Sequence, residues 1–186
     1  MKNHSVERAL SAAKTLVDEL RIPLSPRYMN SVLKTALKRR VHELLPAGMK
    51  RKRTRLRFIF GEIPTFDLVL GDDEVTVAVE IRILDSPRNV LEAVGAVASL
   101  ASHDIGLDTI IPVFLLLPVS IRGIDSWPVD SEEILEILSP LSHDVLRIDP
   151  IVEMVELDDL IDSSFRESLA QRIVGKLQDT TRRSNR

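Results

Sequence analysis

Residues 66–84, FDLVLGDDEVTVAVEIRIL, restrict the possible folds more than any other stretch of the chain. Two runs of strand-forming residues flank Gly71, Asp72 and Asp73, a turn composition that predicts a β-hairpin. Strand side chains alternate, so Val75, Val77, Val79, Ile81 and Ile83 share one face and Thr76, Ala78, Glu80 and Arg82 the other. Three charges sit where a buried hairpin would carry apolar groups: Asp67 in the first strand, Glu80 and Arg82 in the second. Such groups must be paired, hydrogen-bonded or bound to a metal, because an isolated buried charge is too costly. Asp67 points away from Phe66 and Leu68, so hairpin pairing can bring it onto the face that carries Glu80.

The flanking sequence supplies layers for this hairpin. Residues 5–20 read as an amphipathic helix, with Ser5 as cap and Val6, Ala9, Leu10, Ala13, Leu16, Val17 and Leu20 at helical spacing. Ser25 and Pro26 open a second helix that runs to about Leu45, with a stripe of Met29, Val32, Leu33, Ala36, Leu37, Val41 and Leu44. Lys34, Lys38, Arg39 and Arg40 lie beside that stripe. A basic run then holds Lys50, Arg51, Lys52, Arg53, Arg55 and Arg57, passing into a strand at Leu56, Phe58 and Phe60 and a corner at Gly61–Pro64.

Beyond the hairpin, Ser86 and Pro87 start a helix rich in small apolar residues, which predicts close packing on a sheet and room for a second neighbour. Residues 109–118 form an apolar run of the kind covered on both faces. A helix is expected at about 131–138 and a strand at Val145–Ile148. Residues 151–157 are open between strand and irregular structure. A last helix is expected at about 164–177, before a polar tail. The order α-α-β-β-β-α-β-α-β-α predicts an α/β protein with a mixed sheet and helices on both faces. One domain is expected over 1–186: N-terminal helices at 1–48, an α/β core at 49–157, a C-terminal helix at 158–181 and a tail at 182–186.

Composition narrows the chemistry. With 44% hydrophobic and 28% charged residues the chain can build a core, and without cysteine it can form neither disulfides nor thiolate metal sites. The longest apolar run is too short to span a membrane, and the N-terminus lacks the apolar core of a signal peptide, so a cytoplasmic location and no membrane partner are expected. The net charge of −3 hides a division. Residues 1–57 carry 15 Lys and Arg against 4 Asp and Glu, whereas residues 58–186 carry 10 against 24. A polyanion on the basic part explains that split, and so does a basic helix docked on an acidic body within one fold.

Two carboxylates on one hairpin face can hold a hard cation such as Mg²⁺ or Mn²⁺. With Asp67 in one strand and Glu80-Ile81-Arg82 in the next, the chain resembles the PD-(D/E)xK nuclease superfamily, which has the restriction-endonuclease-like fold. The resemblance covers about residues 29–148 and extends to the β-β-β-α-β order. It implies a metal-dependent nuclease in which Asp67 and Glu80 ligate the metal, Arg82 engages the scissile phosphate and Glu43 assists from the preceding helix. Two departures stand out: Phe66 precedes the acid where the family has Pro, and Arg82 replaces Lys. Arginine stays protonated and is a poor general base, so the alternative is an inactive nuclease-like module serving in nucleic-acid binding or protein assembly. Lys38, Arg39, Arg40, Lys50, Arg51, Lys52, Arg53 and Arg55 are the expected contacts to nucleic acid, DNA in the first instance.

Other signals are weaker. Ser102-His103-Asp104 and Ser142-His143-Asp144 contain triad residue types, but adjacent side chains do not converge, and helix-end capping accounts for both. The acids at 72–74 form a solvated hairpin tip. Trp127 could anchor an interface or fold onto the core, and the acidic C-terminal half offers a surface to a protein partner. The resemblance also brings a tendency to dimerise.

Overall fold

The computed structural model describes residues 26–52, 57–58, 61–62, 66–84, 86–101, 106–116, 131–141, 147–155 and 162–184, together with positions 8, 9, 11, 12, 15 and 159. Positions 8, 9, 11, 12 and 15 are helical, and the rest of the helix expected over 5–20 lies outside the described residues.

Helix α1 (Pro26–Glu43) starts at a proline, which costs no hydrogen bond in the first turn. The Leu44 N–H donates to both Arg40 O and Val41 O at 3.2 Å, closing the helix before Pro46 and Gly48, the latter at φ 94°. Among the described residues seven strands follow in chain order: β1 (Lys50–Arg51), β2 (Arg57–Phe58), β3 (Gly61–Glu62), β4 (Leu68–Gly71), β5 (Thr76–Leu84), β6 (Thr109–Leu116) and β7 (Ile151–Met154). Helix α2 (Pro87–Ala101) joins β5 to β6. Helix α3 (Ser131–Leu138), continued by a 3₁₀ turn at Ser139–Leu141, lies between β6 and β7, and α4 (Ser163–Ser184) ends the fold.

Five strands form one mixed sheet in the order β1-β4-β5-β6-β7. The β1/β4 and β4/β5 pairs are antiparallel, and β5/β6 and β6/β7 are parallel, so each parallel step has a helical crossover. Helices cover both faces. On one, Leu33, Leu37 and Val41 of α1 and Leu169, Ile173 and Leu177 of α4 pack on Val77, Val79, Ile81 and Ile83. On the other, Val90, Val94 and Val97 of α2 and Ile134 and Leu138 of α3 pack on Leu84, Phe114, Leu116 and Val152. Strand β6 is buried at every position, as its unbroken apolar run requires.

Several boundaries differ from the sequence reading. The first sheet strand is Lys50–Arg51, whose pairing with β4 continues through the Lys52 N–H to Val69 O at 2.8 Å. The stretch expected as that strand instead pairs with itself, Arg57 with Glu62 and Phe58 with Gly61, as a separate ribbon. The fifth strand comes from Ile151–Met154, the stretch left open. Of the strand expected at Val145–Ile148, positions 145 and 146 lie outside the described residues, and Ile148 makes a bridge to Ile110 between Arg147 in the left-handed backbone conformation (φ 57°) and Pro150. Helix α4 continues to Ser184 where a tail was expected. Thr180 is buried there, and its hydroxyl donates to Lys176 O. The stretches around His103 and His143, and Trp127, lie outside the described residues. Among the described residues no helix is long and apolar enough to cross a membrane.

Candidate functional site

The hairpin register pairs Leu68 with Val79 and Leu70 with Val77, so Asp67 stands across from Glu80 at the point where β4 begins. Strand β5 runs on to Leu84, past the last ladder pair with β4 at Leu68 and Val79. There the Oδ2 of Asp67 accepts the Ile81 N–H at 2.9 Å. In return, the Asp67 N–H donates to Glu80 Oε2 at 3.3 Å. Turn chemistry holds the other end of the hairpin. Asp72 Oδ1 accepts the N–H groups of Glu74 and Val75, and a Cβ at Gly71 would lie 2.0 Å from Val75 O.

Helix α1 brings two lysines to this corner. Leu33 and Leu37 are fully buried against the hairpin, and each is followed by a lysine, so Lys34 and Lys38 emerge four residues apart on one side of the buried stripe. Lys34 Nζ lies 2.7 Å from Asp67 Oδ2, and Lys38 Nζ 3.3 Å from Asp67 Oδ1. On the hairpin itself, Arg82 Nη2 lies 2.7 Å from Glu80 Oε1. All four carboxylate oxygens of the pair therefore already accept hydrogen bonds or ion-pair contacts. Three cations face two carboxylates, a local excess of one positive charge.

The two acids differ in their environments. Glu80 is buried, and desolvation pushes its carboxyl above the ordinary range. The charge of Arg82 opposes this, and that of Asp67 adds to it. Burial also works to raise Asp67, but it is outweighed by the hydrogen bond from Lys34, the Ile81 N–H and the charges of Lys34 and Lys38. Its carboxyl is thus held below the ordinary range. Asp67 is the ionised anchor of the cluster, and Glu80 is its more readily protonated member.

The remaining expected residues fall into three groups. Glu43 is exposed on the last turn of α1, bonded to Arg39 at 3.0 Å and Arg40 at 2.8 Å, about 7 Å along the axis beyond Lys38. Its bonds are to α1 arginines, with none to Asp67 or Glu80. Arg40 also pairs with Glu167 of α4, so the basic cluster at 38–40 is neutralised within the fold. Lys52 turns inward, its Nζ donating to Thr76 Oγ1 at 2.8 Å and Val75 O at 3.3 Å. Lys50 and Arg51 are exposed on the edge strand β1. Arg53 and Arg55 lie outside the described residues. Lys34 is the site residue that motif reasoning missed. The signal for it was its repeat with Lys38 beside Leu33 and Leu37.

A Mg²⁺ or Mn²⁺ ion would need about six oxygen ligands in good geometry. Among the described residues no group of three or more His, Asp or Glu residues is placed to hold a metal. Each oxygen of the two acids that converge already has a donor or cation against it. The two carboxylates as they stand, each held by cations, do not fit a resident divalent cation.

The fold and site thus define an α/β protein with a five-stranded mixed sheet flanked by helices and a charge-compensated acid pair at the head of its hairpin. Comparison with protein-family models, curated proteins and solved structures finds no match to the chain.

Proposed function

We propose that the chain is a nucleic-acid-binding module of restriction-endonuclease-like build in which the Asp67–Glu80 pair serves as structure. The observation that carries this reading is the engagement of all four carboxylate oxygens by Lys34, Lys38, Arg82 and two backbone N–H groups. The nuclease-like build is supported by the placement of the acids. Asp67 heads the second strand of a β1-β4-β5 meander, Glu80 and Arg82 lie in the third, and α2 and β6 follow. Binding to a polyanion is supported by exposed Lys50 and Arg51, which open the basic run through Arg57 and are not consumed by ion pairs as Lys38, Arg39 and Arg40 are. Basic residues on an edge strand also discourage strand addition from another chain, so the charge has a role even without a ligand.

A second reading, a Mg²⁺- or Mn²⁺-dependent nuclease, is favoured by the convergence of Asp67 and Glu80 across the hairpin. One set of measurements separates the two. Fluorescence anisotropy with labelled duplex, single-stranded and branched DNA and with RNA reads binding, and gels of the same mixtures with Mn²⁺ read cleavage. The structural reading expects binding that weakens steeply with salt, is lost in Lys50→Glu/Arg51→Glu, survives Glu80→Ala and brings no cleavage. Cleavage that requires Mn²⁺ and Glu80 would establish the second reading. Absence of binding to every nucleic acid at low salt would reject both.

A further inference from the structure

The contacts of Asp67 carry one step more. Two ammonium groups bring the same total charge as one divalent ion, and both reach the same carboxylate from the same helix. We infer that Lys34 and Lys38 occupy the place a divalent cation would take on Asp67, so that the site is metal-independent and excludes metal. An ammonium offers three donors and needs no fixed coordination geometry, so it can satisfy a carboxylate that a hard cation would have to share with several other oxygens. Because each ammonium is tethered to α1, the same bonds fasten that helix to the hairpin, which a free ion cannot do. Lys34 is the more enclosed of the two, with 19% of its side chain exposed against 33% for Lys38. An entering divalent ion would have to displace both and would still meet Arg82 on Glu80.

This inference rests on the structural reading of the acid pair, and its test uses metal binding alone, so nucleic-acid affinity has no influence on the result. Mn²⁺ is titrated at neutral pH and the free-ion signal followed by electron paramagnetic resonance, with thermal melts run in parallel. The wild-type protein is expected to leave the Mn²⁺ signal at its free level and to melt at the same temperature with and without the ion. Lys34→Met/Lys38→Met keeps the apolar stems and removes both charges. It is expected to melt lower, to bind Mn²⁺ roughly tenfold or more tightly than wild type, and to regain part of its melting temperature when the ion is added. Lys34→Arg/Lys38→Arg is expected to bind none. If the double methionine variant does not fold, Lys38→Met alone, which frees only Asp67 Oδ1, takes its place with the same direction of effect. Mn²⁺ binding by wild type that disappears in Asp67→Ala would overturn the inference. So would a folded methionine variant with no gain in Mn²⁺ affinity.

Discussion

Replacing Asp67 by alanine tests the central claim about the hairpin, since that one carboxylate serves two elements. It accepts the Ile81 N–H at 2.9 Å and holds Lys34 at 2.7 Å and Lys38 at 3.3 Å. Alanine leaves the N–H of a buried strand residue without its acceptor, a loss of about 1–3 kcal/mol. The charge-assisted bond to Lys34 adds about 1.5 kcal/mol at the low end of its range, because the freed ammonium can extend toward solvent. Together these predict a destabilisation of about 3 kcal/mol, or roughly 6–12 °C in melting temperature for a chain of this size. Urea unfolding followed by circular dichroism measures it, compared at unchanged slope so that the midpoint reports stability. A double-mutant cycle with Lys34→Met is expected to give a coupling of about 1 kcal/mol or more. An Asp67→Ala protein within about 0.5 kcal/mol of wild type, the range of ordinary surface substitutions, would refute the reasoning.

Acidification should act on the two acids in opposite senses. Asp67 is lowered in the folded state, so its stabilisation is present above its ordinary value of 3.8 and is lost as pH falls through the lower folded value. Glu80 is raised, so its ionised form costs stability above the folded value, and that cost is gone once pH is below the ordinary 4.5. Carbon-detected NMR titration of the side-chain carboxyls is therefore expected to show Glu80 protonating first and Asp67 last. The reverse order would contradict the arrangement of donors. Gly71→Ala drives a methyl into Val75 O, a backbone atom that cannot yield without opening the turn, and should cost roughly 2 kcal/mol or more in thermal melts. Arg82→Lys restores the motif residue but leaves Lys34 and Lys38 on Asp67, so Mn²⁺-dependent cleavage is expected to remain absent in the gel assay.

What could be read from the sequence was whatever depends on local periodicity. The hairpin faces, the apolar β6, the cap of α2 (Ser86 Oγ accepting the Asn89 N–H at 3.3 Å) and the span of α3 follow from alternation, helical spacing and capping. So did the meeting of Asp67 with Glu80, since a hairpin turn fixes its own register. What depends on tertiary pairing was not legible. Lys50–Arg51 has no apolar signal and becomes a strand only because the β4 edge offers it hydrogen bonds. Ile151–Met154 is too short to show a period, and its partner, β6, lies 35 residues or more earlier. The lysine clamp needed the height of α1 above the hairpin, which is set by Leu33, Leu37 and Val41 and cannot be counted along the chain.

The charge division of the chain takes on a different meaning once these contacts are known. A surplus of positive charge over residues 1–57 favours a polyanion site on sequence grounds, with a helix docked on an acidic body as the alternative. On α1 the second account holds for Lys34, Lys38 and Arg40, while Arg39 is paired within the helix itself. Lys34 and Lys38 meet Asp67, Arg39 meets Glu43, and Arg40 meets Glu43 and Glu167. Lys34 and Lys38 cannot also neutralise phosphates without loosening α1 from the hairpin, whereas the exposed Arg39–Glu43 pair within the helix carries no such tie. On the proposed reading, the positive charge open to a nucleic acid is that of the run starting at Lys50, with Lys50 and Arg51 exposed and Lys52 turned onto the hairpin. The presence of Arg at position 82 follows the same logic. Paired to a buried glutamate from a half-exposed position, a guanidinium brings a planar fork of donors that a carboxylate can accept in fixed geometry, whereas a lysine placed there would offer Glu80 only a compact point charge.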